Sequence, residues 1–284
     1  IPTNRRVRTE FTIPPGEENG ASKGDLVEAQ ATGSRSFGLP EARIADVIGD
    51  ASGPRAPSLI AIHSNDIPTE FSPEAVADAE TAKPVTAAKR TDLRKIPLIT
   101  IDGADARDFD DAVWAEQDPD GKNKGGWHLI VAIADVSWYV RGGKPLDRDA
   151  HDRGNSVYFP DRVVPMLPEA LSNGLCSLVP NEDRGCLAVH MWIDADGNLQ
   201  RHEFIRGIMR SAARLTYEQV DAARNGDTDD TTGPLVDDVI APLYGAFEAL
   251  QTARIRRGTI DLELPERKVK LDRKGNLTGI EPVT

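Results

Sequence analysis

Cysteine is nearly absent from this chain: Cys176 and Cys186 are its only two in 284 residues. Two thiols cannot build a disulfide framework, and their spacing, with few histidines nearby, makes no zinc pattern. A reducing cytoplasm is the simplest home for such a chain. Long apolar runs are missing too, so no segment could cross a bilayer and no membrane partner is expected. IPTNRRVRTEF has charges but no apolar core, so no secretory signal is read there. The first residue is not Met, and the true N-terminus is expected upstream. Positive charge is also in short supply: 34 Lys and Arg stand against 46 Asp and Glu, a net charge of −12. A broad nucleic-acid surface would normally be basic, so only a local basic channel remains open. Arg201, Arg206, Arg210 and Arg214 recur along RHEFIRGIMRSAAR. By themselves they read as an ordinary solvated face. The 39% hydrophobic and 28% charged residues suit a soluble globular protein of one large or two ordinary domains.

What the chain does have is acid packed into one place. Asp102, Asp108, Asp110 and Asp111 fall within ITIDGADARDFDDAV. Carboxylates this close raise one another's pKa unless a cation neutralises them. The fold can splay them into water or use them to hold a hard metal ion through oxygen. The calcium-loop pattern D-x-[DN]-x-[DN]-G-x₅-E does not fit the spacing. The flanks are apolar: IPLITI (96–101) has the length of a buried strand, and Ala112, Val113 and Trp114 resume an apolar run. The acids therefore sit where a buried strand ends. A Mg²⁺ site and a solvated acidic turn both remain open on these grounds.

The first sixty or so residues read as β-rich. VRTEFTI, DLVEAQA and ARIADVIGD are strand candidates between the turn-rich pieces PPGEENGASKGD and TGSRSFGLP. Short strands with Gly-rich turns suit a small oligonucleotide-binding barrel, incomplete at its start. SPEAVADAE starts a helix, with Ser72 as cap and Pro73 in the first turn. The boundary falls at residues 80–90. Beyond it, WHLIVAIADVSWYV reads as one long strand and GNSVYFPDRVVPMLP as an extended segment. CLAVHMWIDADGNLQRHEFIRGIMR reads as a hairpin turning at Asp-Gly-Asn. LTYEQVDAARNG is a helix closed by Asn-Gly. Residues 234–257 form an amphipathic helix with Leu243, Phe247 and Leu250 on one face. RKVKLDRKGNLTGIEP makes a last hairpin.

Four strings carry a specific resemblance: TIDGADARDFDDAV (100–113), VAIADVSWYV (131–140), DRGNSVYFPDRVVPMLPEALSNGLCSL (152–178) and RSAARLTYEQV (210–220). Together they resemble the catalytic domain of the ribonuclease II/ribonuclease R family of 3′→5′ exoribonucleases, nearer to its ribonuclease R branch. Residues 1–80 resemble the cold-shock-type barrel that precedes that domain. The resemblance implies an α+β chain. A partial oligonucleotide-binding (cold-shock) barrel and linker would occupy residues 1–85. The first part of a mixed α/β RNB catalytic domain would occupy residues 86–284. It implies processive release of nucleoside 5′-monophosphates from single-stranded RNA. It implies a Mg²⁺ site, open to Mn²⁺, at Asp102, Asp108, Asp110 and Asp111, with Asp110 mattering more for chemistry than for fold. Asp105 has no family role and reads as structural or solvent-facing. Tyr158 matches a tyrosine that packs on the 3′-terminal nucleotide; read without the resemblance it would pack in the core beside Phe159.

Three departures follow. Trp138 stands where many relatives have His. The family's catalytic domain continues past this point with a catalytic arginine, a glutamate and an S1-type barrel. An earlier cold-shock barrel is also not in this chain. The chain is therefore expected to hold the metal half of the site. Its partners would be single-stranded RNA and the rest of the same catalytic domain, on its own continuation or as a separate chain. The competing class is a noncatalytic RNA-binding relative, against which the four intact acids stand. An unrelated Mg²⁺ phosphatase would need an aspartyl-nucleophile motif that is not seen.

Overall fold

The computed structural model describes residues 1–4, 7–260, 262 and 264–282. The chain opens with β1 (Asp25–Ser36), β2 (Leu39–Asp50), α1 (Ala56–Ser64) and α2 (Pro73–Glu80). Then come β3 (Thr91–Asp92), β4 (Ile99–Asp102), β5 (Asp111–Gln117), β6 (Trp127–Ala134), α3 (Val136–Tyr139) and α4 (Pro145–Arg153). A small hairpin, β7 (Val157–Tyr158) and β8 (Val163–Val164), precedes the long strands β9 (Asp183–Ile193) and β10 (Leu199–Arg210). The rest is β11 (Ala213–Thr216), α5 (Tyr217–Arg224), α6 (Ala241–Arg256), β12 (Arg267–Leu271) and β13 (Leu277–Pro282).

Contacts divide the chain into two units. One holds Ile1–Glu70, Arg153–Val164 and the last hairpin; the other holds Phe71–Asp152 and Pro165–Leu262.

In the first unit β1 and β2 pair antiparallel, and α1 follows β2. The unit is cold-shock-like, and among its described residues β1 and β2 form a two-stranded sheet. VRTEFTI does not become a strand. Only Thr12 pairs, in a lone bridge to Glu41. Residues 7–10 are exposed, and extended backbone that lacks a ladder partner gains nothing over solvated chain.

The second unit is built on a mixed seven-stranded sheet ordered β11-β4-β5-β6-β9-β10-β3. Its middle is antiparallel, and both outer pairs, β11–β4 and β10–β3, are parallel. One face packs Phe109, Ala112, Ile130, Ala132 and Ala188 with Leu171 and Leu178. On the other, Ile99 and Leu215 meet Val220, Val239 and Ile240, and Ala115, Leu129 and Ile193 meet α6.

Several local expectations hold. The Ser72 hydroxyl accepts from the Ala75 N–H, capping α2. The helix read over LTYEQVDAARNG forms as α5, and a capping box of Thr216 and Gln219, which was not among the expectations, closes its start. The β9–β10 hairpin turns at Asp194, which accepts from the Asp196 and Asn198 N–H groups. Two further readings need correction. WHLIVAIADVSWYV is not one strand: β6 stops at Ala134 and α3 begins at Val136. The turn is set by Asp135, whose buried carboxylate must be drawn toward arginine. The helix read over 234–257 is α-helical only from Ala241, the residues before it winding as 3-10 and π turns. Its buried positions are Ala246, Ala249 and Ala253, Leu243 packs against the core, and Phe247 is 50% exposed. Small side chains let this helix lie close to the sheet; a Cβ on Gly245 would strike the Trp127 ring.

A polar row crosses the sheet. Glu116 lies 3.2 Å from His128 Nδ1, and His128 Nε2 lies 2.9 Å from His190 Nδ1. His128 stacks on Trp192 at 4.5 Å, and Arg201 lies 3.4 Å from the Trp192 ring centre. Burial, then the charge of His128, holds His190 below the ordinary histidine range. The unfolded chain takes up that proton near pH 6.5, where the folded chain resists it. This contribution to stability is complete above that pH and lost as pH falls below it. The melting temperature of the wild type should fall more steeply from pH 7 to 5.5 than that of His190→Gln; equal slopes would refute the assignment.

Candidate functional site

Leu98 leads into β4, where Ile99 and Thr100 are buried and Asp102 is half-buried. β4 and β5 are antiparallel, with Ile99 opposite Val113. The end of β4 therefore lies beside the start of β5, which Asp111 opens. The link between them carries Asp108 and Asp110. The fold thus brings all four predicted aspartates to one end of the sheet.

Their charges interact. Burial, then the charges of Asp108, Asp111 and Asp102, pushes the Asp110 carboxyl above the usual range. Burial, then Asp102, does the same to Asp111. Ionised Asp110 and Asp111 are therefore held at a cost that a cation would relieve. Even so, no group of three His, Cys, Asp or Glu among the described residues is placed to hold a metal ion. One physical reason is local: Asp110 and Asp111 are chain neighbours at a strand start, where successive side chains alternate between faces. The donor chemistry fits a hard divalent ion, because every candidate ligand is a carboxylate oxygen. Thr100 adds a buried hydroxyl with no hydrogen-bond partner. Strand alternation sets it on the same face as Asp102.

The acidic link is held by its backbone. Phe109 is buried; its N–H donates to Ser177 Oγ at 3.0 Å and its C=O accepts from the Leu178 N–H at 2.8 Å. The Asp110 C=O accepts from the Ala134 N–H at 2.8 Å. The Arg214 guanidinium donates to the Ala104 and Ala106 carbonyls at 3.2 and 3.1 Å and lies 4.5 Å from the Phe109 ring centre. The Asp102 carboxylate accepts from the Gly103 N–H at 2.7 Å. Asp105 is exposed.

Tyr158 lies in the other unit, on β7, and is 65% exposed. Its ring is open to solvent, and the core packing beside Phe159 is not what the fold adopts.

The arginine series is not a free solvated face. Arg201 covers Trp192, Arg206 lies 3.3 Å from Asp135, Arg210 lies 2.7 Å from Asp183, and Arg214 holds the acidic link. Sequence reasoning missed Asp135, Ser177 and the role of Arg214. Asp135 did leave a signal: a charged residue inside an apolar string needs a buried partner. The Asp135 carboxyl is fully buried, which alone would raise its pKa. Hydrogen bonds from Arg90 at 2.7 Å and Ser137 at 2.8 Å, with the charge of Arg206, win and hold it below the usual range.

Comparison with known proteins places these features in a family. Residues 90–283 match the RNB domain model, and residues 1–72 match a cold shock domain model. The chain is 43% identical over 292 residues to ribonuclease R of Vibrio parahaemolyticus, covering 100% of this chain and 34% of that protein. The chain thus spans about a third of the length of that curated relative. Among solved structures it matches Mycoplasma genitalium RNase R in complex with double-stranded RNA, with a TM-score of 0.87 and 26% identity. That match covers 98% of this chain and 49% of the other. It also matches yeast Ssd1, a pseudonuclease, with a TM-score of 0.65 at 17% identity over 90% of this chain and 32% of that one, a likeness of fold.

Proposed function

The chain belongs to the RNB-domain family, and from that membership we propose that it is the acid-bearing part of a 3′→5′ exoribonuclease. Its substrate would be single-stranded RNA, shortened processively to nucleoside 5′-monophosphates. The observation that carries this reading is Asp110, placed with the other three acids at one sheet end, where burial and then the charges of Asp108, Asp111 and Asp102 disfavour its ionised form.

Asp102, Asp108, Asp110 and Asp111 are the residues that would hold Mg²⁺, with Mn²⁺ able to replace it. When bound, such an ion lowers the pKa of an attacking water and offsets charge on the phosphodiester oxygens. The chain's own part is positional. Phe109, Ser177 and Arg214 fix the backbone that carries the acids, so little reordering is left for the moment of reaction. Bare, the carboxylates repel a phosphate; the site accepts RNA only when they are neutralised. Tyr158 is proposed to stack on a terminal base, an interaction worth about 1–3 kcal/mol and tolerant of base identity.

This chain's share is proposed to be the metal-holding half, with a basic group outside these residues needed to stabilise the transition-state charge. The 284-residue chain should take up Mn²⁺ in a titration followed by electron paramagnetic resonance, and Asp102→Asn should weaken uptake. The same chain given Mg²⁺ and single-stranded RNA should produce no processive ladder. Robust digestion would refute the half-site, and absence of ion uptake would refute the metal assignment. A noncatalytic RNA-binding relative is the other reading; the four intact acids favour the nuclease. A cytoplasmic location belongs to the same proposal, supported by two buried, unbonded thiols. Among the described residues no helix is long and apolar enough to cross a membrane.

A further inference from the structure

Trp138 stands on α3 with 41% of its surface exposed. The guanidinium carbons of Arg90 and Arg141 lie 5.1 and 4.9 Å from its ring centre. The two arginines differ in what else they do. Arg90 is 3% exposed and fixed, donating to the Gly207 C=O at 3.1 Å and to Asp135 at 2.7 Å. Arg141 is exposed, and among the described residues its side chain makes no hydrogen bond or ion pair. Arg206, half-exposed, completes the group 3.3 Å from Asp135. Arg90 and Arg206 thus share one buried carboxylate, and Arg141 brings a third positive charge to the ring, an excess of two within a chain of net charge −12.

This cationic island lies near the acids. Asp135 follows Ala134, whose N–H holds the Asp110 carbonyl. The buried Cys176 thiol is pushed up to about 12, first by burial and then by the negative charges of Asp110 and Asp135. Both carboxylates therefore act on one buried thiol from nearby.

We propose that Trp138 and Arg141 form a nucleotide subsite for single-stranded RNA, beside the aspartates. It rests on the RNA-nuclease reading given above. The indole stacks a base, and the uncommitted Arg141 moves off the ring to a neighbouring phosphate. The Arg90–Asp135–Arg206 group holds the indole and keeps the local field positive. A free phosphate has no use for the indole, whereas a nucleotide engages both groups. An indole face takes any base, which suits a sequence-tolerant enzyme.

The test is a titration of the 284-residue chain with an adenine oligoribonucleotide in Ca²⁺, followed by tryptophan emission and by anisotropy of a labelled strand. The oligonucleotide should quench part of the emission, and Trp138→Phe should lose that quench. Trp138→Ala should weaken binding about five- to 150-fold, the range of one stacked base. Arg141→Ala should lower the salt slope of binding by about one. Phe204→Ala, an exposed aromatic on β10, should leave binding unchanged. Wild-type affinity in Trp138→Ala, or equal quenching by polyphosphate, would overturn the subsite alone. A wild-type chain that binds no RNA would overturn both the subsite and the nuclease reading.

Discussion

Replacing Asp110 with Asn should lower mononucleotide release by a factor on the order of 10²–10³, the loss expected when one preorganised charge is removed from a reaction centre. The measurement belongs in a protein that carries the whole catalytic domain, with end-labelled RNA and product analysis. Asn keeps the size of the side chain, and the backbone bond from Ala134 to the Asp110 carbonyl does not depend on the carboxylate. RNA binding should therefore be largely retained. Stability should move the other way. The Asp110 carboxyl is pushed up by burial and by three like charges, so its ionised form costs the fold free energy near neutral pH. A neutral amide removes that cost, and the melting temperature should be unchanged or higher. Lost activity with preserved stability is the pattern of a site that gives up stability for function. Activity within tenfold of wild type would sink the chemical assignment. A large drop in melting temperature would make Asp110 a structural residue instead.

Asp135→Ala should be the most destabilising single change in the second unit, by about 3–5 kcal/mol. The carboxylate is fully buried, accepts hydrogen bonds from Arg90 and Ser137, and is ion-paired to Arg206 at 3.3 Å. Deleting it strands the Arg90 guanidinium, itself 3% exposed, as an unpaired buried charge. The melting temperature should fall on the order of 10 °C. Asp135→Asn, which keeps the shape and a hydrogen bond to Ser137, should lose less. Asp135→Leu combined with Arg90→Met should recover part of the loss, because it removes both ends of the pair. Urea melts of the four proteins decide the matter. If Asp135→Ala and the double variant are equally stable, the ion pair is not what holds this corner.

The two predictions differ in how far sequence alone could reach them. The acids were visible because five aspartates, the four site candidates and Asp105, crowd residues 102–111 after a buried strand. Nothing in that stretch reveals that Arg214 reaches back to Ala104 and Ala106, or that Ser177 holds Phe109. Those contacts join segments far apart in the chain, and closing such loops leaves no periodic trace. Asp135 was readable as an anomaly, but its partners Arg90 and Arg206 were not. Helix α6 misled for a related reason. Leu243, Phe247 and Leu250 read as one apolar face; Leu243 does pack on the core, but Phe247 and Leu250 are exposed, because close approach to the sheet selects alanines.

By itself the sequence determined what short-range physics controls. Ser72 caps α2, Thr216 and Gln219 cap α5, and Asp194 and Asp272 nucleate hairpin turns. Each depends on residues within a few positions, so the information is local. Strand order decided the rest. Only the sheet puts the end of β4 beside the start of β5, adds parallel neighbours at both edges, and sets arginines from distant strands on Asp135 and on the acidic link. Which charges meet depends on chain segments that find one another only when the core closes, and no local pattern encodes that choice.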